Sequence, residues 1–129
     1  LARKHRTVGL WPDEADHDRY PQLLCTVQTG LEAPLWTHVQ ATLLQGIYRW
    51  PDGTAAYAAR LFHRAAQSLA QQWQPQPFAL GTRFGVADVY VGSVLLWATQ
   101  VGLALPEVWQ PWLSALQQRP AYQQVYPAR

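Results

Sequence analysis

The stretch FGVADVYVGSVLLWA, residues 84–98, carries a single charged side chain, Asp88, in an otherwise largely apolar run. A helix that is apolar on nearly every side is one that other elements surround. Asp88 is the third residue after Gly85, and a carboxylate at this spacing can accept the free backbone N–H of the residue that caps a helix. The stretch therefore predicts a buried central helix, with Gly85 and Asp88 as its structural cap.

A long helical pattern precedes this stretch. Asp13 can cap a helix, and apolar residues then recur at spacings of three and four as far as Leu43 and Ile47. Pro34 falls inside the pattern, and because proline lacks a backbone N–H the helix must kink or restart there. The pattern thus predicts one or two helices that end close to residue 50.

The remaining segments are also helical in spacing, and strand signals are scarce. Thr54 can cap a third helix, a further helix starts near Glu107 so that Pro111 falls in its first turn, and a short helix follows Pro120. The sequence predicts an all-α domain, a bundle of about five helices packed around the buried central helix.

Composition excludes several classes of function. The 129 residues suit one domain, and a hydrophobic fraction of 49% with 14% charged residues is typical of a globular chain. A net charge of +2 is too small to favour nucleic acid as a partner, and no apolar run is long enough to favour a membrane. The only cysteine, Cys25, excludes an internal disulfide, and its apolar neighbours favour a packed side chain. We expect a cytoplasmic protein.

Catalytic and metal-binding patterns are not apparent. The four histidines (His5, His17, His38 and His63) are scattered, and no pair has the helical spacing of zinc ligands. The sequence has no Gly-rich phosphate loop and no convincing nucleophile–base arrangement. We therefore expect no metal site and assign no catalytic residue.

Three segments resemble the glutathione S-transferase family, in its C-terminal helical domain. GTRFGVADVYVGSVLLWATQVGL, residues 81–103, is similar to the family's sixth helix and the loop before it, although Gly85 stands where the family usually has Ser or Thr. VWQPWLSALQQRPAYQQ, residues 108–124, resembles the next two helices, and TGLEAPLW, residues 29–36, resembles the middle of the fourth. A bacterial-type member fits these segments best.

The resemblance implies a domain plan. Residues 1–9 look like the remnant of an upstream thioredoxin-like domain and its linker, and residues 10–129 like the helical domain itself. Family members conjugate glutathione to hydrophobic electrophiles, and the thioredoxin-like domain binds glutathione and activates its thiol. The resemblance therefore implies a homodimeric parent enzyme with glutathione as co-substrate, and an isolated helical domain that is inactive.

The resemblance also assigns roles to individual residues. Gln28, Glu32, Leu35, Trp36 and Trp97 correspond to positions that line the pocket for the hydrophobic electrophile. Thr29 corresponds to a position that contacts the glutathione of the partner subunit. Ordinary structural roles compete with these assignments, since Leu35 and Trp97 also suit a core and Glu32 suits a solvated helix face.

An alternative function is assembly. Transferase-like helical domains also occur in translation factors and aminoacyl-tRNA synthetases, where they dock partner proteins without catalysis. This alternative predicts surface tryptophans organised as a protein interface, for which Trp50, Trp73 and Trp109 are the candidates.

Overall fold

The computed structural model describes residues 1–126. Its helices are α1 (Arg19–Val27), α2 (Ala33–Thr42), α3 (Thr54–Gln72), α4 (Val86–Gln100), α5 (Gln110–Gln117) and α6 (Pro120–Val125). Short 3₁₀ turns lie at Arg6–Val8, Glu14–Asp16 and Glu107–Trp109. Because α1 and α2 are parts of one continuous helix, this portion of the chain folds into five helices and forms no strand. The all-α prediction is confirmed.

A π turn lets the first helix continue past Pro34. Residues Gln28–Glu32 form a π turn, in which the Ala33 N–H donates to the Gln28 carbonyl five residues earlier. In a regular α-helix Pro34 would leave the Gly30 carbonyl without its donor, and the wide turn accommodates this within the helix. The helix therefore continues across Pro34 without a break.

The π turn also explains which side of this helix is buried. The buried apolar residues recur strictly every fourth position, at Leu23, Val27, Leu31, Leu35 and Val39. Four residues exceed one α-helical turn of 3.6, so such a stripe drifts by about 40° at each step. A π turn takes up more residues than an α turn and offsets part of this drift. All five side chains consequently face the same core.

The end of α2 differs from the prediction. The helix stops at Thr42, and the N–H groups of Leu43 and Leu44 both donate to the Val39 carbonyl. The chain then turns towards Gly53, whose φ of 85° lies in the left-handed region that glycine readily adopts. As a result, Leu43 and Ile47 leave the apolar stripe and are 67% and 75% exposed. Their predicted place on the buried face is wrong.

Two predicted caps have other partners. Helix α1 begins at Arg19 rather than directly after Asp13, whose carboxylate lies 2.7 Å from the Arg83 guanidinium. Thr54 is the first residue of α3, and its hydroxyl donates to the Pro51 carbonyl before the helix. Both side chains therefore fix the connections between helices instead of closing a helix start.

Helix α4 is the central helix, and it packs against α1 and α5. Its residues Val91 and Leu95 have no exposed surface. One side of the helix is nevertheless open, because α6 does not cover it, and Val89 on that side is 50% exposed. The expectation of burial on every side is thus corrected for this one face.

Asp88 is the best-connected polar group of the core, with 1% of its surface exposed. Its Oδ2 accepts the backbone N–H of Gly85 at 2.9 Å, which closes the start of α4. Its Oδ1 accepts the Ala79 N–H at 2.7 Å and the Trp112 Nε1–H at 3.0 Å. The carboxylate therefore joins the loop before α4, the first turn of α4 and helix α5.

Gly85 allows another segment to approach the start of α4. The Leu10 carbonyl accepts the Val86 N–H at 2.9 Å, and a Cβ on residue 85 would lie 3.1 Å from the same oxygen. Any side chain at this position would therefore press on the Leu10 backbone. This close approach is a physical reason for glycine where Ser or Thr would otherwise supply a capping hydroxyl.

Candidate functional site

Four aromatic residues at the junction of α2 and α4 form what we call the aromatic surface: Trp36, Tyr48, Tyr90 and Trp97. The ring of Trp36, on α2, lies 6.0 Å from that of Trp97, on α4, and 6.4 Å from that of Tyr48 in the following loop. Trp36 is 41% exposed and Tyr48 is 37% exposed. The Trp36 ring thus contacts those of Trp97 and Tyr48, and Trp36 and Tyr48 still present apolar area to solvent.

A carboxylate–phenol pair lies at one end of the aromatic surface. The Tyr90 hydroxyl donates a hydrogen bond to Glu32 Oε2. Glu32 lies one helical turn before Trp36, and Tyr90 lies two turns before Trp97. The two helices therefore meet through two successive contacts, one polar and one aromatic, on the same face.

Glu32 has unused capacity to accept hydrogen bonds. Its side chain is half-buried, and within residues 1–126 no lysine, arginine or histidine pairs with it. Only Oε2 accepts a hydrogen bond from a described side chain. Since an ionised carboxylate has two oxygens and about four acceptor positions, Oε1 is available to a ligand.

The Tyr90 phenol is held in its neutral form. Burial of the ring, and after it the hydrogen bond to Glu32 and the negative charge of Glu32, together raise the pKa of Tyr90 to about 12. Tyr90 therefore keeps its proton, and remains a hydrogen-bond donor to Glu32, throughout the physiological range.

This raised pKa predicts an alkaline effect on stability. Tyr90 stabilises the fold fully below its ordinary pKa of 10.0, and we expect this contribution to disappear as the pH rises towards about 12. Raising the pH from 9 to 12 should therefore lower the Tm of the wild type more steeply than that of Tyr90→Phe, as measured by thermal unfolding. Tyr57→Phe, at an exposed tyrosine, is the control and should follow the wild type. Parallel curves for all three proteins would contradict the prediction.

A cleft of about 660 Å³ adjoins the aromatic surface on the open side of α4. Its lining includes Leu10, Phe84, Leu96, Trp97, Arg119 and Tyr122. The Arg119 guanidinium lies 3.6 Å from the centre of the Phe84 ring. Trp97 is the one residue shared by the cleft and the aromatic surface, so it borders both.

The structure brings together three of the residues that the sequence singled out as electrophile contacts. Glu32, Trp36 and Trp97 lie at the aromatic surface. Leu35 is fully buried in the core and presents no surface to a ligand. Gln28 is exposed on the π turn, and no hydrogen bond or ring contact within residues 1–126 joins its side chain to these three.

Thr29, the residue assigned to glutathione, is also exposed on the π turn. Its hydroxyl donates to the Cys25 carbonyl at 2.7 Å, which leaves its oxygen free to accept a hydrogen bond. Cys25 itself is exposed, so the prediction of a packed cysteine is wrong. The side chain of Cys25 points away from the buried stripe formed by its neighbours Leu23 and Val27.

Sequence reasoning missed Tyr48 and Tyr90. Tyr90 had a usable signal, because it lies seven residues before Trp97 and so shares a helical face with it. Tyr48 had none, since it follows the end of α2 in an irregular loop. Its position depends on how that loop folds back on Trp36.

Two of the three tryptophans proposed as an interface belong to the core. Trp73 is 9% exposed and Trp109 has no exposed surface, whereas Trp50 is 46% exposed. The Trp109 Nε1–H donates to the Trp73 carbonyl at 3.2 Å, and the Trp73 Nε1–H donates to the Ala79 carbonyl at 2.8 Å. The interface assignment is therefore wrong for Trp73 and Trp109.

Two further properties of residues 1–126 bear on the site. No three His, Cys, Asp or Glu side chains in this range come together in a group that could hold a metal ion. None of its helices is both long and apolar enough to cross a membrane.

Comparison with known proteins identifies a family for most of the chain. The family model of the glutathione S-transferase C-terminal domain matches residues 30–126, about three quarters of the sequence. The match includes Glu32 and the four residues of the aromatic surface, as well as Asp88. No curated protein and no solved structure matches the chain.

Proposed function

Because the chain belongs to the glutathione S-transferase family through its C-terminal domain, we propose that the aromatic surface is the wall of a pocket for a hydrophobic electrophile. The parent enzyme conjugates glutathione to that electrophile. The glutathione is bound mainly by a thioredoxin-like domain, so the isolated helical domain is inactive. The observation that carries this proposal is the contact of Trp36 with Trp97, two large rings from different helices that remain open to solvent.

The physical properties of this surface suit such a substrate. Each Å² of apolar ligand area removed from water contributes roughly 25 cal/mol, and tryptophan and tyrosine rings also favour edge-to-face and offset contacts with aromatic ligands. Ligand sites in proteins are mostly apolar with a few polar groups that fix orientation. Here Glu32 and Tyr90 supply the polar groups, at one end of the rings.

The same proposal includes a homodimer and a role for the π turn. Gln28 and Thr29 are exposed there, and the Thr29 oxygen is free to accept a hydrogen bond. In a dimer of the parent enzyme this oxygen contacts the glutathione held by the partner subunit. The exposed side chains of Leu43 and Ile47 supply apolar area to the dimer interface.

Binding of a neutral aromatic probe tests the pocket wall. In titrations of the 129-residue chain with 1-neopentylnaphthalene, followed by the NMR shifts of indole N–H groups, we expect Trp36→Ala and Trp97→Ala to weaken binding about fivefold each. Trp50→Ala is the matched control, because Trp50 is as exposed as Trp36 but lies outside the aromatic surface. Equal affinity in all variants, or no binding at all, would refute the proposal.

A second candidate function is docking of a partner protein without catalysis. It is favoured by one observation, the exposure of Leu43, Ile47 and Trp50 in and around a single connection between helices. Retention of the parent protein on immobilised glutathione separates the two functions. A catalyst is retained, whereas a scaffold that has lost the glutathione site passes through.

A further inference from the structure

We propose that the aromatic surface selects aromatic electrophiles that carry a positive charge over neutral and anionic ones, and that Glu32 is the residue responsible. This inference rests on the proposed function, since it names the class of substrate for the same site. It follows from the position of Glu32, a carboxylate without a cationic partner in residues 1–126, beside several open aromatic rings.

The Glu32 carboxylate has one oxygen engaged and one open. Tyr90 orients Glu32 by donating to Oε2, and Oε1 has no hydrogen-bond partner among the described residues. The ion pairs within residues 1–126 join Arg19 to Asp16 and Arg83 to Asp13, so they leave the charge of Glu32 uncompensated. A half-buried carboxylate without a cationic partner attracts a cation and repels an anion.

The rings of the aromatic surface also favour a cation. The faces of tryptophan and tyrosine rings carry negative potential and attract cations such as quaternary ammonium groups. In the described part of the chain, the cations that lie over rings are Arg60 over Tyr57 and Arg119 over Phe84. Neither ring belongs to the aromatic surface. The rings of this surface therefore hold no resident cation and are available to that of a ligand.

The carboxylate and the rings are close enough to act on one ligand. Trp36 lies one helical turn from Glu32 on the same helix, and Trp97 contacts Trp36. A ligand whose aromatic body rests on these rings can place a cationic group near Glu32 without leaving the surface. A sulfonate or carboxylate in the same position would meet a like charge.

Three probes of matched shape test this selectivity in the 129-residue chain. They are trimethyl(naphthalen-1-ylmethyl)ammonium, its neutral carbon isostere 1-neopentylnaphthalene, and naphthalen-1-ylmethanesulfonate. We expect the ammonium to bind about five- to tenfold more tightly than the neutral probe, and the sulfonate to bind most weakly. Glu32→Gln should reduce the preference for the ammonium to about twofold, the part that the ring faces supply, without changing the neutral affinity, because glutamine keeps an acceptor for Tyr90.

Glu107→Gln is the matched control, since it removes the same charge from an exposed position away from the aromatic surface, and it should preserve the preference. Equal binding of all three probes by the wild type would overturn the selectivity but leave the proposed pocket intact. A preference that is undiminished in Glu32→Gln would overturn the assignment to Glu32. Failure of all three probes to bind would instead overturn the proposed function.

Discussion

Replacing Asp88 by alanine is expected to lower the free energy of unfolding by about 3–5 kcal/mol. The substitution removes a buried carboxylate that accepts three hydrogen bonds, from the Gly85 and Ala79 backbones and the Trp112 indole. Hydrogen bonds to a charged group are stronger than neutral ones, and donors left buried without an acceptor add their own penalty. Urea denaturation monitored by circular dichroism measures the loss.

The control for this experiment is Asp18→Ala. Asp18 and Asp88 each lie at the start of a helix, α1 and α4 respectively. Unlike Asp88, the Asp18 side chain makes no capping hydrogen bond and is exposed. We expect a change below about 1 kcal/mol there. If Asp88→Ala is as mild as Asp18→Ala, the three hydrogen bonds do not stabilise the core as described.

Replacing Trp109 by alanine is expected to cost about 3–5 kcal/mol as well. Trp109 is fully buried, its ring lies 5.6 Å from that of Trp73, and its indole N–H is satisfied by the Trp73 carbonyl. Alanine would leave a cavity in the centre of this cluster and a carbonyl without its donor. Urea denaturation again measures the change.

Trp50→Ala is the comparison, because an exposed tryptophan is removed at little cost to the fold. We expect its free energy of unfolding to stay within about 1 kcal/mol of the wild type. Comparing Trp109→Ala with Trp50→Ala thus distinguishes a tryptophan of the core from one on the surface. Comparable losses at both positions would contradict the core assignment of Trp109 and restore it as a surface residue.

The central helix was the most predictable part of the fold. Its apolar composition and the spacing of Gly85 and Asp88 mark both its burial and its first residue, because these signals are local. The start of α5 was also within reach, since Pro111 is tolerated only in a first turn. Local signals did not predict the hydrogen bonds of Asp88 with Ala79 and Trp112, because these depend on how the loop and α5 pack against α4.

Other features escaped prediction because they depend on long-range contacts. An apolar stripe alone does not say where α2 ends, and Leu43 continues the stripe in sequence but not in space. Tryptophans in turns look alike whether they are buried or exposed, as Trp73 and Trp50 illustrate. Trp73 packs against Trp109 and Trp112 and donates its indole N–H to the Ala79 carbonyl, and only the folded chain brings these partners together.

The candidate site was predictable in part. The resemblance to the family pointed to Glu32, Trp36 and Trp97, which the structure brings close together. It also pointed to Leu35, which is next to Trp36 on the same helix but faces the core, whereas Trp36 is exposed. Tyr90 was missed because its importance comes from the register of α4 against α2, a property of two helices rather than of either sequence.

The π turn at Gln28–Glu32 has a consequence for chain length. Deleting one residue there would let the helix become regular with the buried stripes of α1 and α2 still nearly aligned, because a π turn takes up about one residue more than an α turn. A deletion within the regular part of α1 or α2 would instead rotate everything upstream by about 100° relative to the rest of the helix. Changes of chain length in this helix are therefore confined to the turn, where Gln28 and Thr29 are exposed. In an alignment of relatives, this constraint would show in the placement of gaps rather than in residue identity.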